Sequence, residues 1–261
     1  MIRPSSGPDE SRFPSFRSPL PPSKGSRARL RVIKALAMRN VLAIFQREFA
    51  SYFSSALAYI IVPAFLLLVG GFSLYFQDIL SSGQASMRPV FFWCAVSYLL
   101  LIPALTMRAF AEEARTGSIE LLYTLPVTEG EMVLGKYLAA LALMSLALLL
   151  TLGYPLTLGA YGELDWGPVA GGYLGLLLLG AAFSAIGIAA SSSTSSQVVA
   201  FLLSLMLGLL PFVTGYSLSR VPSDILPLVQ YLSFEYHFNH LSRGVVDSRN
   251  IVYYASVVAV F

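Results

Sequence analysis

The chain has 261 residues, 56% of them hydrophobic and only 12% charged, with a formal net charge of +3 and a mean hydropathy of +0.70. A soluble domain is about one-quarter charged, so this composition excludes a single large soluble core and indicates a polytopic membrane protein. The single cysteine, Cys94, lies in an apolar run without a partner, which excludes an internal disulfide framework and a Cys-based zinc site.

Residues 1–37 form a leader of a different kind. Pro4, Pro8, Pro14, Pro19, Pro21 and Pro22 alternate with serines and with basic residues from Arg12 to Lys34. Such a segment cannot bury a core and reads as disordered, and it lacks the apolar stretch of a secretory signal peptide. Two readings stand: a basic cytoplasmic tail touching anionic lipid, or sequence upstream of a later start, since Met38 opens the ordered chain naturally. Residues 38–261 read as one membrane domain. Over 41–58, Val41, Ile44, Phe45, Phe49, Tyr52 and Phe53 recur at helical spacing, with Arg47 and Glu48 elsewhere on the wheel. This pattern predicts an amphipathic helix in the interface ahead of the first crossing.

Six apolar runs follow, over 59–76, 90–107, 137–158, 169–190, 198–216 and from 251 to the end of the chain. The last reaches only ~18 Å against a hydrocarbon core of ~30 Å, so it is expected to be a truncated sixth crossing. The fold class expected is therefore all-α, with six transmembrane helices. Pro63, Pro103, Pro155 and Pro211 fall inside the runs and are expected to kink them. Gly171 and Gly175, followed by Gly180, Ala181, Ala182, Ser184 and Gly187, form a small-residue face for close helix packing. With the N-terminus inside, the cytoplasmic flanks hold the basic leader, Arg108, Arg115 and Lys136, and the outer flanks hold Arg88, Arg220, Arg243 and Arg249. The basic bias favours that orientation.

Several motifs invite a chemistry and fail on inspection. Gly130 to Tyr137 nearly matches the phosphate-binding pattern G-x-x-x-x-G-K-[ST], but Tyr137 replaces the required hydroxyl and an apolar run follows. His237 and His240, with Glu235 and Asn239, could hold two positions of a metal site, yet a closed site wants more ligands, and the neighbouring aromatic residues read as an interfacial belt. Acidic and basic residues are nearly absent from the runs, which argues against an ion-coupled carrier. No metal, cofactor or catalytic group is expected, and no nucleic-acid partner.

The loop at 108–136 remains. Glu112, Glu113, Arg115 and Glu120 give a helix-competent segment a charged face, Ile119, Leu121 and Leu122 an apolar one, and Gly117 and Pro126 punctuate it. The pattern Glu112-Glu113-x-x-x-Gly117-Ser118-x-Glu120-x-Leu122-x-x-x-Pro126, then Gly135-Lys136-Tyr137, resembles the loop between the second and third helices of ABC-2 type transporter permeases. Ser196-Gln197-Val198-Val199-Ala200-Phe201 is similar to the start of the fifth helix in the branch containing gliding-motility and nitrous-oxide-reductase-maturation permeases. Phe238-x-x-x-Ser242-Arg243-Gly244-Val245-Val246-Asp247 resembles that branch's segment before the final helix.

The resemblance implies a half-transporter in the inner (plasma) membrane, driven by a separate cytoplasmic ATP-binding-cassette ATPase and working with a second permease subunit, identical or not. It implies export, or mechanical work on a periplasmic accessory protein. It also implies that Glu112, Glu113, Gly117, Ser118, Glu120, Leu122 and Pro126 form a coupling helix that docks on the ATPase, and that 221–250 re-enters the outer leaflet as short helices. The competing reading is a membrane-embedded enzyme or accessory factor that uses this loop only for assembly.

Overall fold

The computed structural model describes residues 24–77, 86–118, 127–215, 224, 226–245 and 247–261. Among them no strand occurs. The chain forms α1 (Lys24–Ser54), α2 (Leu57–Gln77), α3 (Arg88–Thr106), α4 (Ala111–Thr116), α5 (Glu129–Leu150) and α6 (Gly153–Tyr161). It continues as α7 (Trp166–Ser192), α8 (Gln197–Thr214), α9 (Leu226–Leu232), α10 (Phe234–Ser242) and α11 (Ser248–Val260). Among the described residues, five stretches are long and apolar enough to cross a bilayer: Leu57–Tyr75, Arg88–Thr116, Glu129–Ala160, Trp166–Ser192 and Gln197–Thr214. The 13 residues of α11 rise only ~20 Å at 1.5 Å each, too short to join them.

α7 is the axis, packed against α3, α5, α8, α10 and α11. Its small-residue face makes this possible. A Cβ at Gly171 would run into the backbone carbonyl of Leu241, and one at Gly187 into the Thr106 hydroxyl, so these glycines set how closely α10 and α3 approach. α8 is the opposite case. It buries only Ala200, Ser204, Gly208 and Phe212, one residue per turn, and turns Leu202, Met206, Leu210 and Val213 outward. An apolar exterior of this kind suits a hydrocarbon solvent.

Local chemistry moved several boundaries. α1 begins at Lys24 rather than near Val41, because 24–37 carries Arg, Lys, Leu and Ala and no proline. It ends at Ser54, where the hydroxyls of Ser54 and Ser55 bond back to the Ser51 and Tyr52 carbonyls. The run at 137–158 is divided between α5 and α6. At the junction the Thr151 hydroxyl donates to the Leu148 carbonyl at 2.6 Å, and the Tyr173 hydroxyl donates to the Thr151 carbonyl at 3.0 Å. Pro155 consequently lies in the first turn of α6, where a missing N–H is harmless, and kinks nothing. Pro63, Pro103 and Pro211 do lie inside their helices.

Candidate functional site

Residues 107–110 turn the chain from α3 into α4. α4 has no side-chain cap of its own at Phe110, so its first N–H groups need an outside acceptor. α7 supplies it. The fully buried Ser191 hydroxyl accepts from the Phe110 and Ala111 N–H groups at 3.0 and 3.1 Å, and donates to the Met107 carbonyl at 3.0 Å. One side chain thus closes both ends of the elbow.

Lys136, on the second turn of α5, grips the same elbow from the other side. Its side chain is 3% exposed, and an ammonium so deep must match all three N–H groups. It donates to the Ala109 carbonyl at 2.7 Å, to Glu113 Oε1 at 2.7 Å and to Glu48 Oε1 at 3.3 Å, and it lies 5.0 Å from the centroid of the Phe110 ring. Arg47 pairs with Glu48 at 2.7 Å and reaches Glu113 at 3.8 Å. Glu113 Oε2 is buried and accepts no hydrogen bond among the described residues, so the network holds a spare acceptor. Removing one member of such a cluster leaves an uncompensated charge, at a cost of about 3–5 kcal/mol.

The approach of α1 to α5 depends on Gly135. A Cβ there would sit 2.6 Å from Ile44 Cγ2 and 3.3 Å from the Val41 carbonyl. The Gly135-Lys136 pair therefore has a division of labour: the glycine admits α1, and the lysine ties it to α4. The near-match to a phosphate loop is helical from Glu129 onward. Within it, Glu131 forms a capping box with Thr128 and accepts from Asn40 of α1 at 3.1 Å.

Beside the cluster is a cavity of about 510 Å³, with Arg47, Arg108, Glu112, Ser51 and Tyr52 on its walls. Burial, and then the Glu48 carboxylate, push the Tyr52 phenol well above its ordinary range. The cavity is charged on both signs, which distinguishes it from the apolar grooves elsewhere on the helices.

Of the residues expected to act together, Glu112 and Glu113 meet at this cavity. Gly117 ends α4 in the left-handed region at φ 72°, a conformation that favours glycine. The Ser118 hydroxyl lies 2.9 Å from that of Thr116 and donates to the Glu113 carbonyl at 3.4 Å. Glu120, Leu122 and Pro126 lie outside the described residues.

Sequence reasoning missed Glu48, Lys136 and Ser191 as parts of one assembly. Glu48 was placed away from the apolar face, yet it sits seven residues after Val41 and four before Tyr52 and shares their inward side. Ser191 extends the face of Gly180, Ser184 and Gly187 by another turn; that spacing was the available signal. His237 and His240 do not form a ligand pair. The buried His237 ring has Nδ1 2.8 Å from Asn250 Oδ1 and Nε2 3.1 Å from the Tyr231 carbonyl, and it stacks on Tyr253 at 4.0 Å. His240 packs against Tyr236 instead.

Residues 34–249 match the family model described as ABC-2 family transporter protein. No curated protein matches the chain.

Proposed function

The chain belongs to the ABC-2 transporter family, and from that premise we propose that it is the export permease into which a separate cytoplasmic ATPase feeds motion through the α3–α4 elbow. It is a multi-pass membrane protein and the membrane subunit of an ABC transporter; members of this family normally work with a cytoplasmic ATPase. In our reading α4 and the residues up to Pro126 are the coupling element, α1 lies in the interface, and α11 contributes to a sixth crossing. We count Glu112, Glu113, Gly117, Ser118, Glu120, Leu122 and Pro126 to this element, with Glu113 held inward by Lys136. Two permease subunits surround the pathway in the inner membrane. In the same reading it stands with the gliding-motility and nitrous-oxide-reductase-maturation permeases, which its segments 196–201 and 238–247 resemble, and a periplasmic accessory protein is a further partner.

The observation that carries this reading is the double clamp on the elbow. Ser191 and Lys136 fasten the same four residues to α7 and α5, and Lys136 passes the connection to α1 through Glu48. A push on α4 therefore reaches three long helices at once. The test is co-purification with the ATPase and its stimulated rate after reconstitution. Glu120→Lys and Gly117→Val are expected to lose both while the permease still inserts; normal binding and stimulation in both variants would return the loop to a plain connector.

A further inference from the structure

At the other end of α3 from the elbow, two cavities meet. One, of about 160 Å³, lies between α3, α8 and α10. The other, of about 440 Å³, lies between the start of α3, the start of α7 and the end of α10. Arg88, Phe91 and Ser242 line both, so the two spaces share a wall with a cation at its rim. We propose that the space beside this wall binds an amphipathic anion, with its phosphate or carboxylate head at Arg88 and its apolar part along the phenylalanine rings.

The polarity of the lining decides the sign of the ligand. Each of its two carboxylates has one oxygen engaged. Glu235 accepts from the Asn239 amide, and burial pushes its carboxyl above the ordinary range against the opposing pull of Asn239 and Arg243; Asp165 accepts from the Gly167 N–H at 3.0 Å to cap α7. One of its cations has no ionic partner. The ion pairs among the described residues all lie at the Lys136 cluster, so Arg88 forms none, and its guanidinium offers a planar fork suited to an oxyanion. Asn239 retains a second N–H beyond the one given to Glu235. A cation would meet two arginines at the mouth, whereas an anion meets the unpaired fork of Arg88 and the spare N–H of Asn239.

The walls decide the rest. Phe91 and Phe238 are buried and fixed, and Phe92, Phe212 and Ala95 complete an apolar slot. The slot is a product of close packing elsewhere: a Cβ at Gly172 would strike the Phe91 ring, and one at Gly175 would lie 3.1 Å from Phe238. The absence of side chains on α7 thus lets both rings settle where they line the space. A free inorganic anion has no use for such rings, whereas an alkyl or acyl chain does.

This assignment rests on the permease reading for its meaning, as the ligand class of the pathway's far end, but its test needs neither ATP nor the ATPase. The full chain in nanodiscs of phosphatidylcholine is titrated with hexyl phosphate, inorganic phosphate, hexanol and hexyltrimethylammonium. Hexyl phosphate is expected to bind most tightly. Arg88→Gln is expected to weaken it by about tenfold or more, the usual weight of a charge-assisted contact, Arg243→Gln by less, and Arg249→Gln not at all. Competition by added phosphatidylglycerol would assign the head to a bilayer lipid, and its absence to a soluble amphiphile. The proposal is overturned by equal binding of inorganic phosphate or of hexyltrimethylammonium. Unchanged affinity in Arg88→Gln with its helical spectrum intact, or an equal loss in Arg249→Gln, overturns it too. These results would leave the elbow reading untouched, and failure of the coupling experiment would leave the titration unchanged.

Discussion

The two ends of α7 solve the same problem in different ways. At one end the lysine Lys136 is buried; at the other the histidine His237 is buried. Lys136 meets formal charge and a backbone carbonyl from α1, α4 and the elbow, next to an open cavity of about 510 Å³. His237 meets neutral oxygens and is enclosed by Tyr231, Tyr253 and Tyr254. Two carboxylates share one lysine, with Arg47 able to take either, so the ionic end can exchange partners with little loss. Stacked rings and single hydrogen bonds offer no such exchange. In the proposed coupling, the ionic end is the site of movement and the other the fixed frame.

The comparison breaks most sharply at Lys136. Lys136→Met leaves Glu48 and Glu113 with only the more exposed Arg47 as counter-charge, and the expected loss is up to about 3–5 kcal/mol, read as a lowered unfolding midpoint in detergent. Adding Glu113→Gln should restore part of it, since Arg47 then faces the single carboxylate of Glu48. At the fixed end, His237→Phe keeps the stack on Tyr253 but strands the Asn250 amide and the Tyr231 carbonyl. That predicts a smaller loss of about 1–3 kcal/mol, with no rescue by a change at the other end. Ser191→Ala takes the acceptor from two helix-end N–H groups and should lose about 1–2 kcal/mol, concentrated in faster amide exchange at Phe110 and Ala111 rather than spread through α7.

The sequence carried much of this and hid a definite part. Apolar run length located α2, α3, α7 and α8, because a helix that must satisfy its own backbone in lipid leaves a long apolar signature. The glycines of α7 announced close packing, and Gly117 a helix stop. Hidden were the features set by distant partners. The division of α5 from α6 depends on Tyr173 reaching back to Thr151, and Pro155 misleads until that break is known. Glu48 was legible on the helical wheel, but only by accepting an acid on an inward face, and the lysine that permits it lies 88 residues away. The elbow's clamp was illegible because Ser191 closes a contact 80 residues distant in the chain.

A smaller effect on stability should carry the largest effect on function. Gly117→Val forces a β-branched side chain into φ 72°, at about 1–2 kcal/mol, on an exposed turn at the end of α4. The permease is expected to remain folded and inserted while its communication with the ATPase fails. Membrane insertion, assayed by protease protection, should match that of the unsubstituted protein.

The most direct measurement compares the two ends in one reconstituted system: the stimulated ATPase rate of Gly117→Val and Glu120→Lys against that of His237→Phe, each at matched permease content. Movement through the elbow predicts that stimulation falls by about tenfold or more in the first two, in line with losing a contact worth about 2–5 kcal/mol, and persists in His237→Phe despite its lower stability. Full stimulation in both elbow variants, or an equal loss in all three, would contradict it.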